Sequence, residues 1–185
     1  KTVSHSLYPV TEKLKSGLFF QLIESTATGQ VIVFTRTKHR TKKLFADLEK
    51  RKYRAAALQG NMSQNRRTQS IEGFRKGKFD FLVATDIASR GIDIPDISHV
   101  INYDIPHDTE AYIHRIGRTG RAGRQGKALL FVTPREQRLL RDIERATHKP
   151  IIKIPPPSLQ DMKDKRGQQL AEKVIRIIQN SKHLA

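Results

Sequence analysis

The sequence predicts an α/β domain with one parallel sheet covered by helices on both faces. Short apolar or β-branched runs recur at Val31–Thr35, Ala55–Leu58, Phe79–Ala84, His99–Tyr103 and Ala128–Thr133. Between them, helical spacing of apolar residues marks Lys38–Lys52, Gln64–Lys76, Thr109–Ile116 and Pro134–Thr147. Near-continuous apolar strands belong to sheets buried on both faces, and their alternation with amphipathic helices requires parallel crossovers. Those crossovers are expected to be right-handed. Ligands of such sheets gather at the carboxyl ends of the strands.

In chain order, residues 1–10 read as a linker that enters a helix at Thr11–Thr26. The strand at Val31 ends in Thr35-Arg36-Thr37, where Thr37 opens the next helix. Gly60 closes the strand at Ala55, and Ser63 is placed to cap the helix from Gln64. Thr85-Asp86 follows the strand ending at Ala84. The domain is expected to span 11–150, with a Pro-rich linker and a helical extension over 151–185. There Ile154-Pro155-Pro156-Pro157 breaks what precedes it, and Ser158 is a cap candidate. Leu170, Val174, Ile177 and Ile178 then form a narrow apolar stripe at helical spacing, with Gly167 weakening the middle. That helix either docks back on its own domain or serves self- or partner association.

Composition narrows the function classes. Lys and Arg number 35 against 18 Asp and Glu, a formal net charge of +17, the footprint of a polyanion binder. No apolar run approaches the roughly 20 residues of a membrane span, and no signal peptide is visible, which predicts a cytoplasmic protein without membrane contact. Zero cysteines exclude disulfides and thiolate metal sites, and the 7 histidines lack ligand-like spacing. No metal site is expected in this chain.

The most specific segment is His114-Arg115-Ile116-Gly117-Arg118-Thr119-Gly120-Arg121-Ala122-Gly123. Its three arginines recur at intervals of three, and glycines between them let a backbone approach closely. Arg118 and Arg121, one turn apart, can reach the same anion with planar, bidentate groups. An isolated R-x-x-R reads as a solvated basic turn; the whole string is far more specific.

That string resembles motif VI of superfamily 2 helicases, in the form found in DEAD-box RNA helicases. Val31-Ile32-Val33-Phe34-Thr35-Arg36-Thr37 resembles motif IV, and Gln59-Gly60-Asn61-Met62-Ser63-Gln64-Asn65-Arg66-Arg67 resembles motif IVa. Motif V is matched by Ala84-Thr85-Asp86-Ile87-Ala88-Ser89-Arg90-Gly91-Ile92-Asp93-Ile94-Pro95, followed by motif Va at Val100-Ile101-Asn102-Tyr103-Asp104. Gln59 stands where histidine is usual and Ser89 where alanine is usual, and neither change removes a charge or a glycine. The Phe-Thr-Arg-Thr-Lys form of motif IV points to the bacterial RhlE-like branch.

The resemblance implies the second of two RecA-like domains, with a P-loop NTPase-type sheet. The chain contains neither a G-x-x-x-x-G-K-[ST] loop nor an Asp-Glu-Ala-Asp, the parts that hold nucleotide and magnesium. ATP would thus be held, with its Mg2+, by an amino-terminal domain this chain lacks. The start at Lys1, without an initiator methionine, suggests a carboxy-terminal portion that is inactive alone.

By the same resemblance, Arg118 and Arg121 are candidate arginine fingers, which in nucleotide hydrolases contribute about 10³–10⁵ in rate. His114 would couple to the other domain's carboxylate motif, and Asp93 would accept hydrogen bonds from the ATP ribose, beside Gly91. As residues alone, Arg115 reads equally as an ion-pair residue, His114 as a structural hydrogen-bonder and Asp93 as a turn residue before Pro95.

RNA contacts are expected at strand ends that offer hydroxyls and N–H groups to phosphates. The candidates are Thr37, Arg36, Gly60, Gln64, Arg67, Thr85, Asp86 and Arg90; Arg90 reads equally as a loop brace, and Thr37 and Ser63 as plain helix caps. With 6% aromatics and no tryptophan, base stacking has few platforms, so binding should follow the backbone and weaken steeply with salt. The expected function is the carboxy-terminal half of an RNA helicase and RNA-dependent ATPase that parts short duplexes locally. A stand-alone basic RNA-binding module and a DNA translocase are the competing readings.

Overall fold

Val31–Phe34, Ala55–Leu58 and Phe81–Ala84 consist of apolar residues alone, and every one of them is buried. Four residues with hydrocarbon on both faces can rest only inside a covered sheet. The computed structural model describes residues 3–26, 29–94, 97–121, 123–148, 150–155 and 159–182, including all their side chains except those at 26, 159–166, 168, 169 and 182. In chain order the elements are β1 (Val3–Pro9), α1 (Lys15–Thr26) after a 3-10 turn at Glu12–Leu14, β2 (Val31–Phe34) and α2 (Lys38–Lys50). Then come β3 (Ala55–Leu58), α3 (Gln64–Arg75), β4 (Phe81–Ala84), β5 (His99–Asn102) and α4 (Thr109–Ile116). The chain continues through β6 (Gly126–Val132), a 3-10 turn at Pro134–Glu136, α5 (Gln137–Thr147), β7 (Ile152–Lys153) and α6 (Leu159–Lys182).

The strands form a 7-stranded sheet in the order β3-β4-β2-β5-β6-β1-β7. Every pairing is parallel. Alternation along β2 sends Val31 and Val33 to one face, where they join Leu18, Phe19 and Leu22 of α1 and Leu44 and Leu48 of α2. Ile32 and Phe34 point the other way, into a cluster with Phe74 of α3 and with Ala88, Ile92 and Ile94. Leu7, Leu130 and Val132 complete that side against Tyr112 of α4 and Leu140 and Ile143 of α5. Each such side chain fully removed from water contributes about 1.5–3 kcal/mol. The α/β class and the two covered faces agree with the sequence reading.

Two boundaries need correction. Most of the expected linker 1–10 is strand: Val3–Pro9 lies inside the sheet, with Val3 opposite Gly126 and Pro9 opposite Val132. Its polar beginning, Ser4-His5-Ser6, hides the strand from an apolar-run reading; His5 is accommodated because its Nδ1 lies 2.6 Å from the Tyr112 hydroxyl. The sheet also runs beyond 150, since Ile152 and Lys153 pair with Ser6 and Leu7 of β1. Ser158, the expected cap of the last helix, lies outside the described residues. Along α6, Leu170, Val174, Ile175, Ile177 and Ile178 are exposed, so this stripe is not buried against the described residues of the domain. No described helix is long and apolar enough to cross a membrane.

Candidate functional site

The site residues sit on loops at the carboxyl ends of adjacent strands. After β2, the Thr37 hydroxyl accepts from Arg40 N–H at 3.2 Å, capping α2. After β3, Ser63 caps α3 by accepting from Arg66 N–H at 3.3 Å. Both are the helix caps that the alternative reading held, and both stand where free N–H groups favour an anion. Gly60 and Gln64 are exposed at the same end of β3. Arg67 sends Nη2 to the Arg90 carbonyl at 3.2 Å, which ties the loop after β3 to the loop after β4. Thr85 Oγ1 accepts from Ala88 N–H at 3.4 Å, and the Arg90 side chain is exposed.

Two of the expected RNA contacts already have carboxylate or arginine partners within the domain. Arg36 sends Nη2 to Glu136 at 2.7 Å and donates its N–H to Asp104 at 2.9 Å, bracing the start of α5 rather than leaving a free guanidinium. Both carboxylate oxygens of Asp86 are engaged by Arg115, at 2.6 and 2.7 Å. Asp86 here serves a neighbouring cation and shapes the loop after β4.

Arg115, at the last turn of α4, is buried to 2% exposure. Its remaining nitrogen, Nη1, donates to Asn102 Oδ1 at 3.2 Å and to the Asp104 carbonyl at 2.7 Å, and its guanidinium stacks on Phe34 with 5.1 Å to the ring centroid. The ion-pair reading of Arg115 is therefore the one that fits. Asp104 is the second hub. Lys15 Nζ lies 2.9 Å from Oδ1, and Arg40 reaches the two oxygens at 2.8 and 2.6 Å. Burial alone would raise the Asp104 pKa, yet the Arg40 hydrogen bond and the Lys15 charge hold it below the ordinary carboxylate range. Arg40 is in turn raised, chiefly by its hydrogen bond to Asp104. Burial also pushes the neighbouring Tyr103 hydroxyl up to about 12. Sequence reading singled out none of Lys15, Arg40 or Glu136, because their partners lie far along the chain. The Asn102-Tyr103-Asp104 signature was the one available signal.

Arg118, Arg121 and Asp93 come together beside the loop after β4. Arg118 is half-buried and donates to the Ser89 carbonyl at 3.2 Å and to the Ile92 carbonyl. Burial, then the charge of Arg121, lowers its pKa, while Asp93 opposes the shift. It still carries its proton at neutral pH, as arginine does in proteins. Arg121 donates Nε–H to the Gly117 carbonyl at 2.7 Å and holds Nη1 4.0 Å from an Asp93 oxygen. The Asp93 side chain is 89% exposed, and Arg75 steadies its backbone by donating to the Asp93 carbonyl at 2.5 Å. Gly91 has φ +73, a conformation that favours glycine, and a side chain there would meet no atom within 4 Å. His114 is exposed on α4 and takes no part in these contacts. The loop from Thr85 to Ile94 thus borders the strand-end row at one end and the arginine pair at the other.

Among the described residues no group of three or more His, Asp or Glu could hold a metal ion.

Residues 14–123 match the family described as helicase conserved C-terminal domain. The ATP-dependent RNA helicase DeaD of Buchnera aphidicola subsp. Baizongia pistaciae is 47% identical over 86% of this chain and 27% of its own length. The DEAD-box ATP-dependent RNA helicase CshA of Bacillus cereus is 42% identical over 92% of this chain and 33% of its own. The chain therefore spans about a third of the length of these relatives. E. coli DEAD-box protein SrmB, solved bound to regulator of ribonuclease activity A, superposes with a TM-score of 0.80 at 35% identity, covering 88% of this chain and 94% of that one. A DEAD box protein from Methanococcus jannaschii superposes at 0.77 with 40% identity, covering 83% and 42%. These matches carry the names DeaD, CshA and SrmB and do not support the narrower RhlE-like assignment.

Proposed function

The chain belongs to the helicase conserved C-terminal domain family in its DEAD-box form, and from that premise we propose that it is the RNA-gripping, arginine-supplying half of an RNA-dependent ATPase. The carrying observation is the grouping of Arg118 and Arg121 with the outward Asp93, beside the loop that also borders Thr85 and the strand-end row. A module that only bound RNA would have no use for a cation pair set beside a solvent-facing carboxylate at the far end of that loop.

ATP is the substrate in this reading. A preceding domain holds its phosphates and Mg2+, and this chain closes over the other side. The exposure of Asp93 and the open space at Gly91 fit a ribose arriving from outside. Arg118 and Arg121 then face the charge that develops on the γ-phosphoryl oxygens, where preorganised donors act most strongly once water is excluded. RNA lies across Thr37, Gly60, Gln64, Arg67, Thr85 and Arg90, held through phosphates and independently of sequence. Closure of two domains on both ligands bends one RNA strand and parts a short duplex. A cytoplasmic location goes with this role.

The test is ATP hydrolysis by the chain joined to its preceding nucleotide-binding half, with and without single-stranded RNA or DNA. Strong stimulation by RNA supports the proposal, and the chain alone should turn over no ATP. Hydrolysis absent from a folded two-domain protein would leave a basic RNA-binding module, and equal stimulation by DNA would favour a translocase.

A further inference from the structure

We propose that a cleft at the carboxyl end of β3 seats one additional phosphodiester of the bound single strand, with Lys42 and Arg66 as its cations; this rests on the RNA reading above. The cleft has a volume of about 340 Å³ and is lined by Lys42, Gln59, Asn61, Met62, Ser63 and Arg66. That volume lies within the range of small-ligand sites, roughly 300–1,000 Å³.

Its place in the fold follows from topology. β3 is the edge strand, α2 packs on one face of the sheet and α3 on the other. Lys42 on α2 and Arg66 on α3 therefore converge only by reaching around the end of β3, next to Gly60. A strand running along Thr37, Thr85 and Gly60, the order of β2, β4 and β3 in the sheet, meets this cleft as it leaves the sheet.

Charge supports the seat. Arg36, Arg40, Arg54, Arg75 and Arg115 each pair with a carboxylate, whereas neither Lys42 nor Arg66 has an acidic partner among the described residues. Both side chains are exposed. An acid near a helix start is ordinarily stabilising, and α4 has Glu110 in its first turn. The first turns of α2 and α3 carry none. The positive start of α3 and two cations without an acidic partner are left facing the same space, with Gln59, Asn61 and Ser63 adding neutral polar groups and Met62 an apolar surface for a ribose. An acidic protein segment would find the same charges, but continuity with the strand-end row favours a nucleic-acid backbone.

The experiment measures binding of the chain to oligouridines of increasing length over a range of KCl concentrations. It compares Lys42→Gln/Arg66→Gln with Lys50→Gln/Lys76→Gln, which removes two charges from the opposite ends of the same helices. The first pair should match the parent on the shortest RNAs and fall behind on longer ones. Its slope of log Kd against log salt should shrink by about 0.7, one phosphate on a single strand. Slopes unchanged, or changed equally by both pairs, overturn the seat and leave the cleft to a protein partner. Arg67→Gln separates the two levels: if it weakens binding while the Lys42/Arg66 pair has no effect, RNA binding stands and the extra seat falls. No binding by the parent chain at low salt overturns both.

Discussion

Arg115 and Asp86 form a closed pair, with Nε and Nη2 of the arginine meeting the two carboxylate oxygens at 2.6 and 2.7 Å. Because Nη1 also holds Asn102 and the Asp104 carbonyl, one guanidinium joins α4 to the loops after β4 and β5. Of three arginines spaced by three, this one is closed on a carboxylate inside the fold, whereas Arg118 and Arg121 donate to backbone carbonyls and lie beside the exposed Asp93.

Removing one partner of this pair leaves the other charge uncompensated. Arg115→Ala should cost about 3–5 kcal/mol in urea unfolding. Arg115→Ala combined with Asp86→Ala should cost less than the two single changes summed. Additive costs would show that the pair is not coupled.

Arg118→Ala separates catalysis from folding. In the two-domain protein, loss of a donor aimed at developing charge should lower kcat by about 10²–10³ or more, with RNA affinity little changed. Stability should fall only by about 1 kcal/mol for each hydrogen bond to Ser89 and Ile92. A parallel loss of kcat and RNA affinity would instead mark misfolding of the loop.

Asp104 ties acid stability to motif geometry. Its folded pKa lies below the ordinary value near 3.9, so its contribution is complete above that value and disappears as pH falls through the lower folded one. Asp104→Asn should be less stable at neutral pH, with a flatter decline below about pH 4. Identical acid limbs in the two proteins would remove Asp104 from the account.

His99 governs a different window. It is buried at the start of β5, and its Nε2 has no hydrogen-bond partner among the described residues. Burial, then the charge of Lys127, lowers its pKa. Below about pH 6.5 the unfolded chain takes the proton first, so stability falls as pH drops from there toward the folded value. His99→Gln should flatten that segment of the urea-midpoint profile and leave the carboxylate limb unchanged.

Gly126 guards the arginine turn from behind. A Cβ there would stand 2.5 Å from the Gly120 N and press on the Thr119 side chain. Thr119 is buried and donates to the Ile97 carbonyl, so it has little room to yield. Gly126→Ala should cost about 1–3 kcal/mol and lower ATP turnover of the two-domain protein. Full activity with unchanged stability would mean the turn relaxes freely.

The sequence by itself determined the fold class, five of the strands, the helices between them, the strand ends where Thr37, Gly60 and Thr85 lie and the turn after α4 that carries Arg118. These are local properties: apolar periodicity within an element, and caps or glycines at its ends. Tertiary structure decided the rest. β1 is polar in its first half and becomes a strand because β6 and β7 supply its partners. Arg36 and Asp86 carry the residue types of RNA-facing loops, yet Glu136, Asp104 and Arg115 claim them. Arg115 and Asp86 are 29 residues apart, and Arg40 and Asp104 are 64 apart. A charge seen in sequence has no assigned partner until the sheet brings distant strand ends together, and that pairing decides which cations brace the fold.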